Sequence, residues 1–219
     1  MNKPFIRNHQ YNLIRKQVKL LQQTCATVSD PKVVESVRGG VQTKLSEAFP
    51  EGGAFPREML DAVTSLSTEE QFRQYLQSLE PYLDPFPQVT AKQLGKLFPK
   101  VKKLKTPELA GVDYRYVTYI SWIDIALNKM FLVYHMNGQF VGIQGNFTPV
   151  NKGVCFLCNR HEQVALFSAI TKWKPADASP DYYKAIGNYM CMDSEVCNRN
   201  ITDVAALEKF IQAVTVKTH

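Results

Sequence analysis

Apolar positions recur in steps of three and four through the first 83 residues. Tyr11, Ile14, Val18, Leu21, Cys25 and Val28 fall on one helix face, with Arg15, Lys16, Lys19, Gln22 and Gln23 filling the others. Ser29-Asp30-Pro31 ends this helix and starts the next. Ser29 or Asp30 can accept from the free first-turn amides, and Pro31 suits the first helical position, where an amide donor has no partner. Val34, Val37, Val41 and Leu45 form a second stripe. Gly39-Gly40 interrupts it at a cost of about 1 kcal/mol per glycine relative to alanine, which predicts a kink or a close helix crossing. Pro50, Gly52 and Gly53 predict a loop, and Met59, Leu60, Val63 and Leu66 a short third helix after Pro56. Ser67 and Glu70 have capping-box spacing ahead of Phe72, Tyr75, Leu76, Leu79 and Leu83. Short amphipathic helices joined by short loops predict a four-helix bundle over residues 1–83.

The period then changes. Pro81, Pro85 and Pro87 mark a boundary, which places a second domain at 84–219. It opens with a Thr90–Gln93 capping box and a helix bearing Leu94, Leu97, Phe98 and Val101. Val112–Ser121, Met130–Met136 and Gln139–Phe147 are rich in Val, Ile, Tyr and Phe and predict strands of a small antiparallel sheet. Asn137-Gly138 is a two-residue hairpin turn, and Trp122–Asn128 is expected as a loop or short helix. A cysteine-bearing segment runs from Gly153 to Asn200. The chain closes on a helix with Thr202 as cap, Asp203 in the first turn, and Val204, Leu207, Phe210, Ile211 and Val214 on its apolar face. The 48 residues from Gly153 to Asn200 bury too little core alone, so a bound metal ion is expected to stabilise them.

No window approaches the roughly 18 uninterrupted apolar residues of a spanning helix, and the first residues lack the apolar run of a secretory signal. The expectation is a cytoplasmic monomer with no membrane contact. In that reducing compartment the five cysteines should not form disulfides. The net charge of +6 is unevenly spread: ten Lys and Arg face nine Asp and Glu over 1–83, but sixteen face eleven over 84–219. Lys92, Lys96, Lys100, Lys102, Lys103 and Lys105 lie in a stretch, 85–107, without any acidic residue. This is either a solvated helix face with its tail or an electrostatic footprint for an anionic partner, acidic protein or RNA.

Cys155-Phe-Leu-Cys158 places two thiols on a turn after a strand, where both can converge on one ion. Cys191 and Cys197, six apart, suit one ligand at the end of a strand and one in the first turn of a helix. Together they predict a closed tetrahedral four-cysteine site for one structural Zn2+, in a treble-clef-like zinc finger spanning about 150–200. Other readings stand beside this one. His161 could replace Cys197, Cys155 and Cys158 could be a redox pair, or all four cysteines could be ordinary buried residues. Cys25 lies on an apolar helix face and is expected in the core. Four thiolates leave no open position for catalysis, and neither a nucleophile–base set nor a phosphate-binding loop can be assembled from spacing, so a non-enzymatic protein is expected. The fold class is α+β: an N-terminal helical bundle followed by a mixed α/β domain ending in the finger.

The chain resembles the elongation factor G-binding proteins of the fusidic acid resistance type, the FusB/FusC family, nearly end to end. The resemblance is carried by His9-Gln10-Tyr11-Asn12 with Ile14-Arg15, Phe98-Pro-Lys-Val-Lys-Lys-Leu-Lys105, Ser121-Trp122 with Asn128, the pair Cys155 and Cys158, Gly187-Asn-Tyr189-Met-Cys191-Met-Asp-Ser194, then Asn198 and Thr202-Asp203. It implies a helical N-terminal bundle, a zinc-binding C-terminal domain with the four cysteines as ligands, and binding of elongation factor G through that domain. It also implies release of the factor from the ribosome, which restores translation when fusidic acid has trapped it there. Tyr189 matches an aromatic on the factor-binding face. Phe156, in the first cysteine pair, and Lys102, Lys103 and Lys105 are further candidate contacts. The match fails at two places. Val154 stands where members carry an aromatic before the first cysteine, and Ile186 where they carry a lysine three before the tyrosine, with Lys184 close by. These departures separate factor binding from drug protection; a housekeeping relative that binds the factor fits as well. The alternative, from a different class, is a zinc-finger protein that contacts rRNA directly.

Overall fold

A computed structural model describes residues 3–50, 54–175 and 177–216. The chain forms two compact units, Met1–Asp84 and Pro85–His219. Among the described residues, no helix is long and apolar enough to cross a membrane.

The first unit is built on α1 (Asn8–Thr27), α2 (Pro31–Ala48), α3 (Ala54–Asp61) with a 3-10 turn at Ala62–Ser65, and α4 (Glu69–Leu79). Tyr11, Ile14, Val18 and Leu21 of α1 are buried with Val41 and Leu45 of α2 and with Phe72, Tyr75 and Leu79 of α4. Asp30 caps α2 by accepting from the Lys32 N–H at 2.9 Å, with Pro31 at the first helical position. The two ends of this unit are tied together: the amides of Phe5 and Ile6 donate to the Tyr82 carbonyl at 2.9 and 3.0 Å, and Asp84 N–H donates to the Ile6 carbonyl at 2.9 Å.

Several details depart from the periodicity. α2 runs through Gly39-Gly40, and a Cβ at either position would meet nothing within 4 Å, so the pair marks no close crossing. Val34 and Val37 are only half-buried, and Val41 and Leu45 carry the contact. Cys25 is half-buried, with the Arg38 guanidinium 3.9 Å from its sulfur. The capping box sits one residue later than Ser67–Glu70. Thr68 and Gln71 exchange hydrogen bonds at 3.1 and 3.3 Å, which frees Glu70 to pair with Arg73 and accept from Gln74. The third helix starts at Ala54, ahead of Pro56; of the expected loop, Gly52 and Gly53 lie outside the described residues.

The second unit begins with α5 (Ala91–Leu97), capped by Thr90 and Gln93, and contains β1 (Ile120–Asp124), β2 (Lys129–Met136), β3 (Gln139–Val154), β4 (His161–Ile170), β5 (Ala185–Cys191), α6 (Ser194–Asn198) and α7 (Ala205–Thr215). The strands form an antiparallel five-stranded sheet in sequence order. Asn137 and Gly138 both have positive φ, 52° and 75°, which is what a two-residue hairpin turn between twisted strands requires. Strand β2 is buried on both faces. Met130, Leu132 and Tyr134 enter one core beneath α7, and Phe131 and Val133 enter another with Leu94 and Phe98.

The strand boundaries also differ from expectation. Val112–Ser121 is not a strand until Ile120. Asp113 accepts from Arg115 N–H at 3.1 Å and caps a 3-10 turn at Tyr114–Tyr116, while the Tyr114 carbonyl takes the Phe86 amide. Trp122 belongs to β1, opposite Phe131, with stacked rings 5.0 Å apart; the turn is confined to Ile125–Asn128. β3 continues past Phe147 to Val154, pairing first with β2 and then with β4 across a register shift between Val150 and Gly153. Helix α7 has Val204 at its N-cap, and Asp203 lies before the helix, accepting from Ala205 N–H at 2.9 Å.

The exchange of partners along β3 places Gly145 so close to β4 that a Cβ there would stand 2.4 Å from the Ser168 carbonyl oxygen. Backbone cannot yield as a flexible side chain can, so Gly145→Ala is expected to destabilise the second unit by about 2 kcal/mol, read as a lowered midpoint in denaturant.

Candidate metal centre

Three local structures bring the cysteines together. The turn after β3 carries Cys155 and Cys158. It is closed by the Cys155 amide donating to the Arg160 carbonyl at 3.0 Å and the Asn159 amide donating to the Cys155 carbonyl at 2.9 Å. Asn159 takes φ 53°, a conformation asparagine tolerates better than most residues. Leu157 N–H points at the Cys155 sulfur at 3.4 Å. Cys191 ends β5, and the Phe156 amide donates to the Tyr189 carbonyl at 2.8 Å, fastening the turn to that strand. Cys197 lies on α6, whose N-cap Asp193 accepts from Glu195 N–H at 2.7 Å.

All four sulfurs lie within 4.8 Å of one another and all four residues are buried. The Cys155–Cys197 and Cys158–Cys191 sulfur separations are 3.8 and 3.7 Å. Sulfurs placed ~2.3 Å from a central ion at the corners of a tetrahedron have edges of about 3.8 Å. The separations therefore suit one zinc ion and are far too long for disulfides. Thiols this close hydrogen-bond to one another. Hydrogen bonding with Cys158 foremost holds Cys155 well below the ordinary thiol range, and hydrogen bonding with Cys155 foremost holds Cys197 well above it. A divalent cation replaces those protons and neutralises the charge four thiolates would concentrate, so the donor set fits zinc. His161, by contrast, is exposed at the start of β4 and is not part of the cluster.

The centre is continuous with the core. The four cysteines pack with Met130, Leu132, Phe167, Leu207 and Phe210, and the Phe156 ring meets Phe210 edge-on at 5.6 Å. Asn198, next to Cys197, was legible in the sequence only through resemblance. Buried, it accepts from the amides of Thr118 and Tyr119 at 2.8 and 3.2 Å and donates to the Tyr119 carbonyl at 2.9 Å. It thus locks α6 to the chain entering β1, as does Ser194, whose hydroxyl donates to the Ser121 carbonyl at 3.2 Å. Tyr119 is fully buried; burial first, then the neighbouring Cys197 sulfur, push its phenol well above the ordinary range.

The other candidates scatter. Tyr189 is 48% exposed and stands in one cross-strand row with Leu166 and Thr148. Val154, 55% exposed, ends β3. Lys184 is exposed, its ammonium 5.4 Å from the Trp173 ring centroid. Ile186 and Phe156 turn inward and are half-buried against the core, while Lys102, Lys103 and Lys105 are exposed on the stretch after α5.

Residues 5–87 match the family model described as elongation factor G-binding protein, N-terminal, and residues 99–216 match the FBP C-terminal treble-clef zinc-finger. The structure is similar to that of the fusidic acid resistance protein FusC, with 26% sequence identity, a TM-score of 0.78, and 98% of this chain and 99% of the other covered. No curated protein matches the chain.

Proposed function

The chain belongs to the family of elongation factor G-binding proteins with an FBP treble-clef zinc finger, and on that premise we propose that it binds elongation factor G through its second unit and promotes release of the factor from the ribosome. The observation that carries this reading is the four-cysteine centre, built into a chain that matches the family over both units. In this reading Cys155, Cys158, Cys191 and Cys197 are the ligands of one structural zinc ion. The ion holds the β3–β4 turn, β5 and α6 in register, and the finger presents its outer sheet face to the factor. Tyr189 is the anchor: an exposed aromatic beside Leu166 has the area and rigidity of an interface hot spot. Val154 and Lys184, both exposed, are secondary contacts in this reading. Valine at 154 and isoleucine at 186 replace an aromatic and a cation, which favours factor binding with weak drug protection.

The test is co-elution of the zinc-loaded protein with elongation factor G on size exclusion at physiological salt. A complex that disappears on chelation supports the reading; no complex with zinc in place overturns it. Tyr189→Ala is expected to weaken the complex by roughly thirtyfold, about 2 kcal/mol, without moving the thermal midpoint, because the side chain is half exposed. Unchanged affinity would remove Tyr189 from the interface.

A further inference from the structure

The end of α5, the middle of β3, the segment after β4 and the end of α7 enclose a cleft of about 720 Å³. Five lysines line it: Lys96, Lys100, Lys129, Lys172 and Lys174. No aspartate, glutamate or arginine does. Among the described residues, ion pairs involve Arg73, Arg115 and Arg199 and none of these lysines. Two ammonium groups are held by neutral acceptors. Lys129 donates to Asn146 Oδ1 at 2.6 Å, and Lys174 to the Pro180 carbonyl at 3.1 Å, and neither acceptor carries a charge. Gly142 allows the end of α5 to lie directly on β3, since a Cβ there would stand 2.9 Å from Leu97 and from the Phe98 ring; that close approach sets Lys96 and Lys100 over the sheet.

Gathering five like charges from separate elements into one concavity costs Coulomb energy, which an anionic ligand returns. The composition points to the kind of anion. Protein–protein interfaces are depleted of lysine and enriched in arginine, whereas phosphate takes lysine readily as a point charge. The aromatic Phe98 is buried, so the cleft offers no platform for stacked bases. We propose that this cleft binds the phosphodiester backbone of a nucleic-acid strand, without base readout. Lys96 and Lys100 come from the acid-free stretch at 85–107, whereas Lys102, Lys103 and Lys105 of the same stretch do not line the cleft.

The experiment measures anisotropy of a labelled 15-nucleotide single-stranded RNA, and of the DNA of the same sequence, with the full zinc-loaded chain from 50 to 300 mM KCl. Five phosphate contacts on a single strand predict a log–log salt slope of about −3.5, falling to about −1.4 in the variant K96Q/K100Q/K172Q. That variant is expected to lose at least about tenfold in affinity at 100 mM salt. K102Q/K103Q/K105Q and the charge-conserving K96R/K100R/K172R should stay within about threefold of the parent, and RNA and DNA within about threefold of each other. Equal weakening by the two glutamine triples would overturn the proposal, as would lost affinity in the arginine triple or a parental slope shallower than about −1. So would a cleft variant that keeps RNA affinity but no longer co-elutes with elongation factor G, because the occupant would then be an acidic protein face.

Discussion

Cys155→Ser is expected to leave the protein without zinc and to melt the second unit while the first stays folded. Serine is a poor zinc ligand beside thiolate, and three remaining sulfurs cannot close the shell. Structural zinc sites contribute of order 10 kcal/mol to folding, comparable with the ~5–15 kcal/mol that stabilises a whole domain. The centre is not an appendage: Cys155 and Cys197 are fully buried in the same core as β2, β4 and α7, so losing the ion loosens the packing on that face of the sheet. The expected readouts are zinc per chain falling from one to near zero, loss of near-ultraviolet dichroism, and proteolysis that spares a fragment ending near Asp84. A variant that retains zinc and its tertiary signal would remove Cys155 from the ligand set. Cys25→Ser, outside the cluster, should change neither. The dependence on pH has a definite sign. The zinc-bound native state holds thiolates, whereas the unfolded chain holds protonated thiols, so the unfolded state binds more protons and zinc-linked stability is lost as pH falls.

Asn198→Ala should be the next most damaging change, at roughly 3 kcal/mol. It strips a partner from the amides of the buried Thr118 and Tyr119 and from the Tyr119 carbonyl. Each buried group left unpaired costs about 1–3 kcal/mol, and some relaxation is allowed for in the total. The measurement is the denaturant midpoint of the zinc-loaded protein. A second readout separates this from plain loss of packing: zinc should transfer to a chelator faster, because Asn198 adjoins Cys197 and anchors α6. Asn198→Asp keeps the acceptor for the two amides and should recover part of the loss. A neutral result for alanine would mean that α6 is held by the zinc alone.

The elements legible in the sequence are those whose cause is local. The helical stripes at Tyr11–Leu21 and Leu207–Val214, the Asp30-Pro31 cap, the Thr90–Gln93 box and the Asn137-Gly138 turn each depend on residues within a few positions of one another. The cysteine pairs belong here too, because thiols that converge on one ion need short, turn-compatible spacing. What was misread involved partners distant in sequence or choices that spacing leaves open. Nothing local distinguishes Thr68–Gln71 from Ser67–Glu70 as a capping box, and Glu70 is diverted by Arg73. Trp122 follows a strand signal that local composition assigned to 112–121; only pairing with β2 decides that the strand begins at Ile120. β4 and β5 were hidden in a cysteine-bearing segment because their alternation is blurred by small residues, Ala165, Ala169 and Gly187, which the sheet needs for close packing.

By itself, the sequence determined that this protein has a helical first part, a sheet-containing second part and four thiols fit to share a cation, because periodicity, turn chemistry and ligand spacing are short-range properties. The tertiary structure decided the rest. It selected Cys197 over His161, merged the metal centre with the main core, gave Asn198 its anchoring role, turned Tyr189 outward and Ile186 inward, and chose which lysines meet around one cleft. Those outcomes depend on strand register and on the direction each side chain takes across the sheet, and both are set only when segments far apart in the chain bury their apolar faces together.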